Sequence, residues 1–318
     1  MNPTDIDIVD ALHEKFHRRK RFLVPNDCGI VTACNSNHFG LFQLLYYSIY
    51  LSSTGVITLY DLGLSIAQRR WCEQQDQLEI KHLKDLIFPV EKDQYYWPTW
   101  NKPLYFTQSS HQKNLWIDAD CVVLGNINEL LEQISEKPVV FCCEFGCVDK
   151  DISRLHRAMK TNMVPHQSGP PCLNAGVLGF DTIRDSDILS KWMEVITSAA
   201  DDPSVQSVTP WYDQGGLQWA MEVLNKLEFV CHDTSWNHDN LQLPNCKNIL
   251  TFIQGLNPND CKLAHFAGTE KRKIQWPEIP INLNHLTLFH DWYPVYSSDG
   301  RIKALFRNEE EAAQYENM

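Results

Sequence analysis

The sequence predicts an α/β protein built on a mainly parallel central sheet. Short β-rich runs alternate with longer apolar runs through the first half of the chain, an order that is typical of parallel sheets. Polar residues follow several of the predicted strands, and in such sheets ligands bind at the carboxyl ends of strands. The 318 residues are sufficient for one large α/β domain with a sizeable core.

The first elements follow from local pattern. The run "CGIVTAC" at 28–34 predicts a strand, and the apolar residues over 39–53 are too continuous for a surface helix, so they predict a buried one. A second strand in "GVITLYDLGLS" ends in Asp61-Leu62-Gly63, and Ser65 is a suitable N-cap for the helix that follows. Asn35 and Asp61 should therefore lie together at strand ends.

The remaining elements are predicted in the same way. In chain order they are a loop entering a helix (95–110), a strand that starts near Asn114 and ends at Asp118 and Asp120, a helix capped by Asn126 or Asn128, a strand (138–145), a strand (172–181), an amphipathic helix after it, and a helix starting near Asp213. Between the last two strands, residues 146–171 have a broken pattern and predict a long excursion. Long loops over a sheet often carry binding functions.

Composition narrows the class of partner. Apolar residues make up 43% of the chain and the net charge is −12, which argues against nucleic acid as the main partner. No apolar run reaches the length of a membrane-spanning helix and the first residues lack a signal peptide, so we expect a cytoplasmic protein. The basic run "HRRKR" at 17–21 fits a solvated helix face. Its alternative is contact with an acidic membrane surface or acceptor, so any membrane contact is peripheral.

The chain divides into a helical, basic N-terminal extension (1–25), one large domain (26–295) and an acidic C-terminal tail (296–318). Eleven cysteines are scattered without paired CxxC spacing, so we expect them to be reduced. Three of them lie close together in "FCCEFGC" at 141–147. These could bind a metal, but core packing is the preferred interpretation because cysteine is a common buried residue.

Asp118 and Asp120 end a buried strand in "NLWIDADCVV". A strand sends residues i and i+2 to the same face, so the two carboxylates should point into one small volume. Two close carboxylates either share a proton or bind a cation. The alternative is a loop after the strand, with Asp120 solvated and Asp118 capping a turn, and a short Asp-x-Asp pattern does not decide between them.

Four segments together resemble the GT-A nucleotide-sugar glycosyltransferases, in particular the glycogenin-like family eight. In order they are "NKPLYFTQSSHQKNLWIDADCVVLGNINELLE", "LNAGVLGFD", "DQGGL" and "HFAGTEKRKIQW". The resemblance spreads over most of residues 28–276. It implies a GT-A fold, that is, a Rossmann-like single-domain sandwich.

The resemblance also implies an activity: metal-dependent transfer of a hexose from a nucleotide sugar, most simply one linked to uridine diphosphate, with retention of configuration. The acceptor can be a glycan, lipid, protein or small molecule. The metal, Mn²⁺ or Mg²⁺, would be held by Asp118, Asp120 and His265, and the catalytic residues would be Asp213 and Gln214. The expected donor-binding residues are Thr32, Asn35, Lys102, Asp118, Ala119, Asn174, Ala175, Gly268 and Lys271.

The chemistry of these residues fits the implied roles. Carboxylate oxygens suit a hard divalent ion, and an imidazole ligand favours manganese. Gly268 would let the backbone approach the diphosphate, and Lys271 would place an ammonium on it. Structural alternatives stay open: His265 as a core histidine, the lysines as solvated charges, Asp213 and Gln214 as a helix cap.

Two departures from the family pattern affect the expected pockets. Arg272 follows Lys271 where the family has proline, and two glycines follow Gln214 where it has an acidic residue. The sugar and acceptor pockets can therefore differ from the family's. Two other functions remain: a metal-dependent nucleotidyltransferase or sugar-nucleotide hydrolase, which also needs paired aspartates, and a GT-A binding module without activity.

Overall fold

The structure is a computed structural model that describes residues 24–87, 97–142, 152–162, 172–210, 212–237, 260–266, 293–296 and 302–306. The strands are β1 (Cys28–Cys34), β2 (Ile57–Asp61), β3 (Leu78–Lys81), β4 (Lys113–Ile117), β5 (Cys121–Val123), β6 (Val139–Cys142), β7 (Leu173–Asp181), β8 (Val230–Cys231), β9 (Leu263–His265), β10 (Tyr293–Tyr296) and β11 (Ile302–Phe306). The α-helices are α1 (Phe39–Ser52), α2 (Ile66–Glu73), α3 (Trp97–Trp100), α4 (Lys102–Thr107), α5 (Asn128–Glu136), α6 (Ile152–Ala158), α7 (Ser186–Asp201), α8 (Pro203–Val208) and α9 (Asp213–Val223).

Seven strands form the central sheet in the order β3-β2-β1-β4-β7-β6-β8. β1 pairs in parallel with β2 and β4, β2 with β3, and β6 with β8. β7 runs antiparallel to both of its neighbours, β4 and β6. Among the described strands of this sheet β7 alone is reversed, so the predicted α/β class with a mainly parallel sheet is confirmed.

Helices cover both faces of the sheet. Strand side chains alternate between two apolar cores: Ile30 packs in the core that contains Phe42 of α1, whereas Val31 packs in the core that contains Trp192 of α7. All nine residues of β7 are buried, as expected for a central strand with both faces covered.

Local signals that were read from the sequence are found at the first two strand ends. Ser65 caps α2 in a capping box with Gln68, as predicted. The buried carboxylate of Asp61 accepts hydrogen bonds from the backbone of Gly63 and Leu64 at 2.8 Å, and pairs with Arg69. Asp61 therefore holds the turn that leads into α2.

The excursion between β6 and β7 contains a helix that we did not predict, α6. The last residue of β6, Cys142, pairs with the first residue of β7, Leu173, so the excursion leaves and returns at one point of the sheet edge. β3 and α8 were also not predicted. The strand predicted to end at Asp118 and Asp120 is wrong in one respect, because β4 already ends at Ile117, and β5 follows the two aspartates.

Two segments lie near the predicted domain ends. The basic run at 17–21 falls outside the described residues, and β10 pairs with β11 in the region assigned to the end of the domain and the acidic tail. The domain boundaries remain predictions. Within the described ranges, no helix combines the length and apolar character needed to cross a bilayer.

The expectation that all cysteines are reduced is wrong for Cys172, which is disulfide-bonded. Seven others are free thiols: Cys28, Cys34, Cys72, Cys121, Cys142, Cys231 and Cys261. Of the "FCCEFGC" cysteines, only Cys142 is described, and it lies 3.2 Å from Nδ1 of His232.

Candidate functional site

The two aspartates lie in a turn just beyond the end of β4. The backbone N–H of Asp118 donates to the carbonyl of Gly176 at 2.8 Å, and the Asp118 carbonyl accepts from Cys121 N at 3.1 Å. Our prediction that the pair stands on one face of a strand is therefore wrong, and the predicted turn is correct. That alternative also placed Asp120 in solvent, which is wrong because Asp120 is buried.

His265 lies between the two carboxylates. Strand β9 pairs antiparallel with β5, which places His265 opposite Cys121, and Phe266 N donates to the Asp120 carbonyl at 2.9 Å. The Nε2 atom of His265 is 3.8 Å from Oδ2 of Asp118 and 3.6 Å from Oδ1 of Asp120. The structure thus brings together the three residues that we predicted as metal ligands.

Cys121 is a fourth potential ligand that we did not predict. Asp120, Cys121 and His265 each present one ligand atom, and these atoms lie within 4.8 Å of one another. A carboxylate, a thiol and an imidazole can together hold a divalent ion. The only signal for Cys121 in the sequence was its position directly after Asp120.

Lys102 connects Asp118 to α9. It is 2% exposed, and its ammonium lies 3.1 Å from Oδ1 of Asp118 and 2.8 Å from Oδ2 of Asp213. The third acceptor is the carbonyl of Ala175 in β7, at 2.8 Å. Because an ammonium has three N–H donors, the protein satisfies all of them. Contact of Lys102 with a donor, as predicted, would require one of these partners to be replaced.

Electrostatics keep this lysine charged. Burial acts to lower the pKa of Lys102, but the carboxylates of Asp118 and Asp213 outweigh burial and raise it above the ordinary lysine value. Burial raises the pKa of Asp213, and the positive charge of Lys102 reduces that rise. Lys102 is therefore the cation that makes it possible to bury Asp213.

The two carboxylate oxygens of Asp118 have different surroundings. Oδ1 accepts from Lys102 and from the indole N–H of Trp116, the latter at 2.6 Å. The Trp116 ring is stacked on Tyr105 at 4.8 Å between centroids, which holds the indole in place. Oδ2 faces His265, so Asp118 is anchored through one oxygen and presents the other to the imidazole.

Helix α9 begins at Asp213, and its first turn is closely packed. The indole of Trp192 donates to the Asp213 carbonyl at 2.9 Å and lies 3.0 Å from where a Cβ on Gly216 would be. A Cβ on Gly215 would collide with the carbonyl oxygen of Pro210. Close packing therefore explains why glycine occupies both of these positions, at which the sequence departs from the family pattern.

Tyr212, directly before this helix, has φ 58° and ψ −108°. A positive φ is rare for a residue with a side chain and stores strain of about 1–3 kcal/mol. The Tyr212 ring packs edge-on against Trp100 with 5.4 Å between centroids. This aromatic contact fixes the backbone from which Asp213 projects.

Two of the predicted donor-binding residues, Thr32 and Asn35, lie in the last part of β1 and directly after it. The Thr32 hydroxyl is fully buried and has no hydrogen-bond partner within the described part of the chain. Oδ1 of Asn35 accepts from the backbone of Asn37 and His38 and caps a short 3₁₀ helix. Neither arrangement tests donor binding, which stays a prediction for both residues.

The other predicted residues lie nearer to His265. Oδ1 of Asn174 accepts from Gly176 N at 2.7 Å, and Ala119 is half-buried in the turn between the two aspartates. Nε2 of Gln214 lies 3.8 Å from the sulfur of Cys172. The last two predicted residues, Gly268 and Lys271, lie outside the described residues. Asn237, which contacts His265, was not predicted.

Gly176 makes room for the His265 ring. A Cβ on Gly176 would lie 2.6 Å from Nδ1 of His265, closer than real contacts allow. We expect Gly176→Ala to displace the ring, weaken Mn²⁺ binding at least tenfold and lower the free energy of unfolding by about 1–3 kcal/mol. Metal titration and urea unfolding measure the two effects.

The matched control is Gly40→Ala, since a Cβ on Gly40 would meet nothing within 4 Å. That variant should keep the wild-type Mn²⁺ affinity, and its free energy of unfolding should be equal or slightly higher, because alanine is favoured over glycine in a helix. Equal Mn²⁺ affinity in Gly176→Ala and Gly40→Ala would contradict the close packing of Gly176 and His265.

No family model matches this sequence, and neither does any curated protein. Solved structures do resemble it. An active-site mutant of LgtC is 17% identical with a TM-score of 0.48, covering 76% of this chain and 88% of that chain. The galactosyltransferase LgtC in complex with donor and acceptor sugar analogues is 14% identical with a TM-score of 0.42, covering 76% and 87%. Mouse xyloside xylosyltransferase 1, in its apo form, is 14% identical with a TM-score of 0.43, covering 65% and 86%. At these values the likenesses establish no family for this chain.

Proposed function

We propose that this protein is a GT-A glycosyltransferase that transfers a hexose from a nucleotide sugar, most simply one linked to uridine diphosphate, to an acceptor hydroxyl. The observation that carries the proposal is the convergence of Asp118, Asp120 and His265 at one strand end, with a buried lysine linking Asp118 to Asp213. The described residues of the four segments that resemble glycosyltransferase family eight, which include only His265 and Phe266 of the last segment, meet at this place or lead up to it.

The donor set fits a divalent cation. Two carboxylate oxygens lie 3.6 and 3.8 Å from an imidazole nitrogen, which is a suitable set for Mn²⁺ or Mg²⁺. Asp118, Asp120 and His265 would hold the ion, and Cys121 is close enough to join them. Bound there, a divalent ion would neutralise the diphosphate leaving group as a Lewis acid.

Asp213 has the second role. Asp213 lies at the start of α9, and its carboxylate is held by Lys102, whose ammonium also bonds Asp118. We propose that Asp213 and Gln214 orient the sugar whose C1–O bond to phosphate breaks. The acceptor oxygen forms the new bond to C1, and its proton passes to the leaving phosphate, so no covalent protein nucleophile is needed. Retention of configuration is the outcome that the family resemblance implies.

Thermal unfolding with uridine diphosphate and its hexose conjugates, with and without Mn²⁺, tests the proposal. A ligand that binds only the folded state at a hundred times its Kd stabilises by about 2.7 kcal/mol, so we expect Tm to rise by several degrees. The rise should require the metal. No nucleotide-dependent shift in the presence of Mn²⁺ would overturn the proposal.

Product analysis then separates transfer from the alternatives. Incubation of a shifting donor with a panel of acceptors should yield a glycosylated product together with the nucleoside diphosphate. Free sugar formed at the same rate with and without acceptors would instead identify a hydrolase. Metal-dependent binding without turnover against any acceptor would favour a binding module.

A further inference from the structure

Asn237 lies directly behind His265. Its side chain is fully buried, and its Oδ1 is 2.9 Å from Nδ1 of the imidazole. The other ring nitrogen, Nε2, is the one that faces Asp118 and Asp120. Asn237 therefore contacts the histidine from the side opposite to the carboxylates.

The backbone holds both residues in one place. Asn237 follows the 3₁₀ helix Thr234–Trp236, in which Trp236 is 3% exposed. Lys262 N donates to the Ser235 carbonyl at 2.7 Å, just before β9 begins. The short helix and the strand that carries His265 are thus tied together, so the distance from Asn237 to the ring is set by the fold.

The chemistry of this contact concerns which nitrogen carries the proton. A neutral imidazole has one N–H, and a metal needs the lone pair of the other nitrogen. Oδ1 of Asn237 can only accept, so it selects the ring form that is protonated on Nδ1. The carboxylates favour the opposite form, because a proton on Nε2 could be donated to them. Asn237 opposes that preference.

A second observation indicates that the oxygen of Asn237 is the functional atom. Its Nδ2 is buried and has no hydrogen-bond partner within the described part of the chain. A buried donor without a partner costs about 1–3 kcal/mol. A residue needed only to fill this space would be better replaced by leucine, which carries no such cost.

We propose that Asn237 is a positioning residue that holds His265 in the Nδ1-protonated form and thereby tightens binding of a divalent cation at Nε2. This inference rests on the metal site of the proposed function. Asn237 touches neither the metal nor the substrate in this role, and it acts through the imidazole alone.

Mn²⁺ affinity, measured from the electron paramagnetic resonance signal of free Mn²⁺, tests the inference in wild type, Asn237→Leu and Asn237→Asp. Leucine has a similar volume but cannot accept, so we expect Mn²⁺ to bind about 10–100-fold more weakly. Aspartate accepts and has no amide group to leave unsatisfied, so its affinity should equal or exceed that of wild type. If Asn237 only filled space, the order of the Mn²⁺ affinities of the two variants would be reversed, because leucine fills the space and a buried carboxylate is costly.

The ring nitrogens of the metal-free protein provide a readout that is independent of activity. Long-range ¹H–¹⁵N correlation spectra should show the Nδ1-protonated ring of His265 in wild type and Asn237→Asp, and the Nε2-protonated ring in Asn237→Leu. If the leucine variant does not fold, wild type and the aspartate variant still give the answer. A wild-type ring that is protonated on Nε2 would overturn the inference.

Asn114→Leu is the matched control. Asn114 is another fully buried asparagine, with its amide donating to the carbonyl of His111. Its replacement should lower stability and leave Mn²⁺ affinity unchanged. Equal affinity in wild type, Asn237→Leu and Asn114→Leu would overturn the inference. A wild-type protein that binds no Mn²⁺ would instead contradict the proposed function, and the ring spectra would still report on Asn237.

Discussion

Lys102→Met is expected to lower the free energy of unfolding by about 3–5 kcal/mol, the range measured when one partner of a buried ion pair is removed. The methionine keeps the apolar stem but leaves Asp213, at 6% exposure, without its cation. Asp118 Oδ1 also loses one of its donors. Urea unfolding at constant m-value measures the change.

The control for this prediction is an exposed lysine pair. Lys191 bonds Glu194 at 2.6 Å, but both side chains are more than a third exposed, so Lys191→Met should cost less than about 1 kcal/mol. Adding Asp213→Asn to Lys102→Met should restore part of the stability, since it removes the unpaired buried charge. A Lys102→Met protein as stable as Lys191→Met would show that the buried ammonium is dispensable.

The pH dependence of the variant follows from the same charges. Because the pKa of Lys102 is raised in the folded protein, its stabilisation is complete at neutral pH and is lost only as the pH rises through that raised pKa. In Lys102→Met, burial raises the pKa of Asp213 without an opposing cation. The folded variant then binds a proton more readily than the unfolded chain does. The loss in its free energy of unfolding, relative to wild type, should therefore become smaller as the pH is lowered.

Asp120→Asn should abolish metal binding while preserving the fold. Asn has the same shape, and the backbone contact of Asp120 with Phe266 does not involve the side chain. Lewis-acid stabilisation is worth several kcal/mol, so we expect turnover to fall by about two to four orders of magnitude. Turnover at saturating donor, together with direct Mn²⁺ titration, measures the loss.

Comparison with Asp118→Asn makes this test specific. Asp118 is an acceptor of Lys102, so its replacement should lower both metal affinity and stability, whereas Asp120→Asn should lower metal affinity alone. Asp185→Asn is the control for a buried aspartate, since Asp185 pairs with Arg184. An Asp120→Asn enzyme with wild-type turnover in the presence of chelator would contradict the proposed metal site.

Local sequence patterns made the elements in the first part of the chain predictable. β1, α1 and β2 follow from apolar runs, and α2 from the Ser65 cap. The direction of β7 was not predictable, because a strand buried on both faces shows the same apolar run whichever way it points. β3 was missed because its side chains are partly exposed and it is short.

The site was predictable where a residue belongs to a local pattern. Asp118, Asp120 and His265 lie in two such segments, and the structure brings them together. The joint contact of Lys102 with Asp118 and Asp213 depends on tertiary packing of three separate segments, so no local pattern encodes it. Asn237 follows Trp236 in an irregular stretch, and a single asparagine there carries no periodic or spacing signal.

The pairing of Cys142 with Leu173 has a consequence for how this protein can diversify. The segment between β6 and β7 starts at Cys142 and ends at Leu173, its pairing partner, and Leu173 lies one residue before Asn174 and three before Gly176. The entropy of closing such a segment grows only slowly with its length, so insertions there cost little folding free energy as long as the buried residues of α6 stay in place. Related sequences can therefore change this one stretch while the sheet and the residues around Lys102 stay as they are.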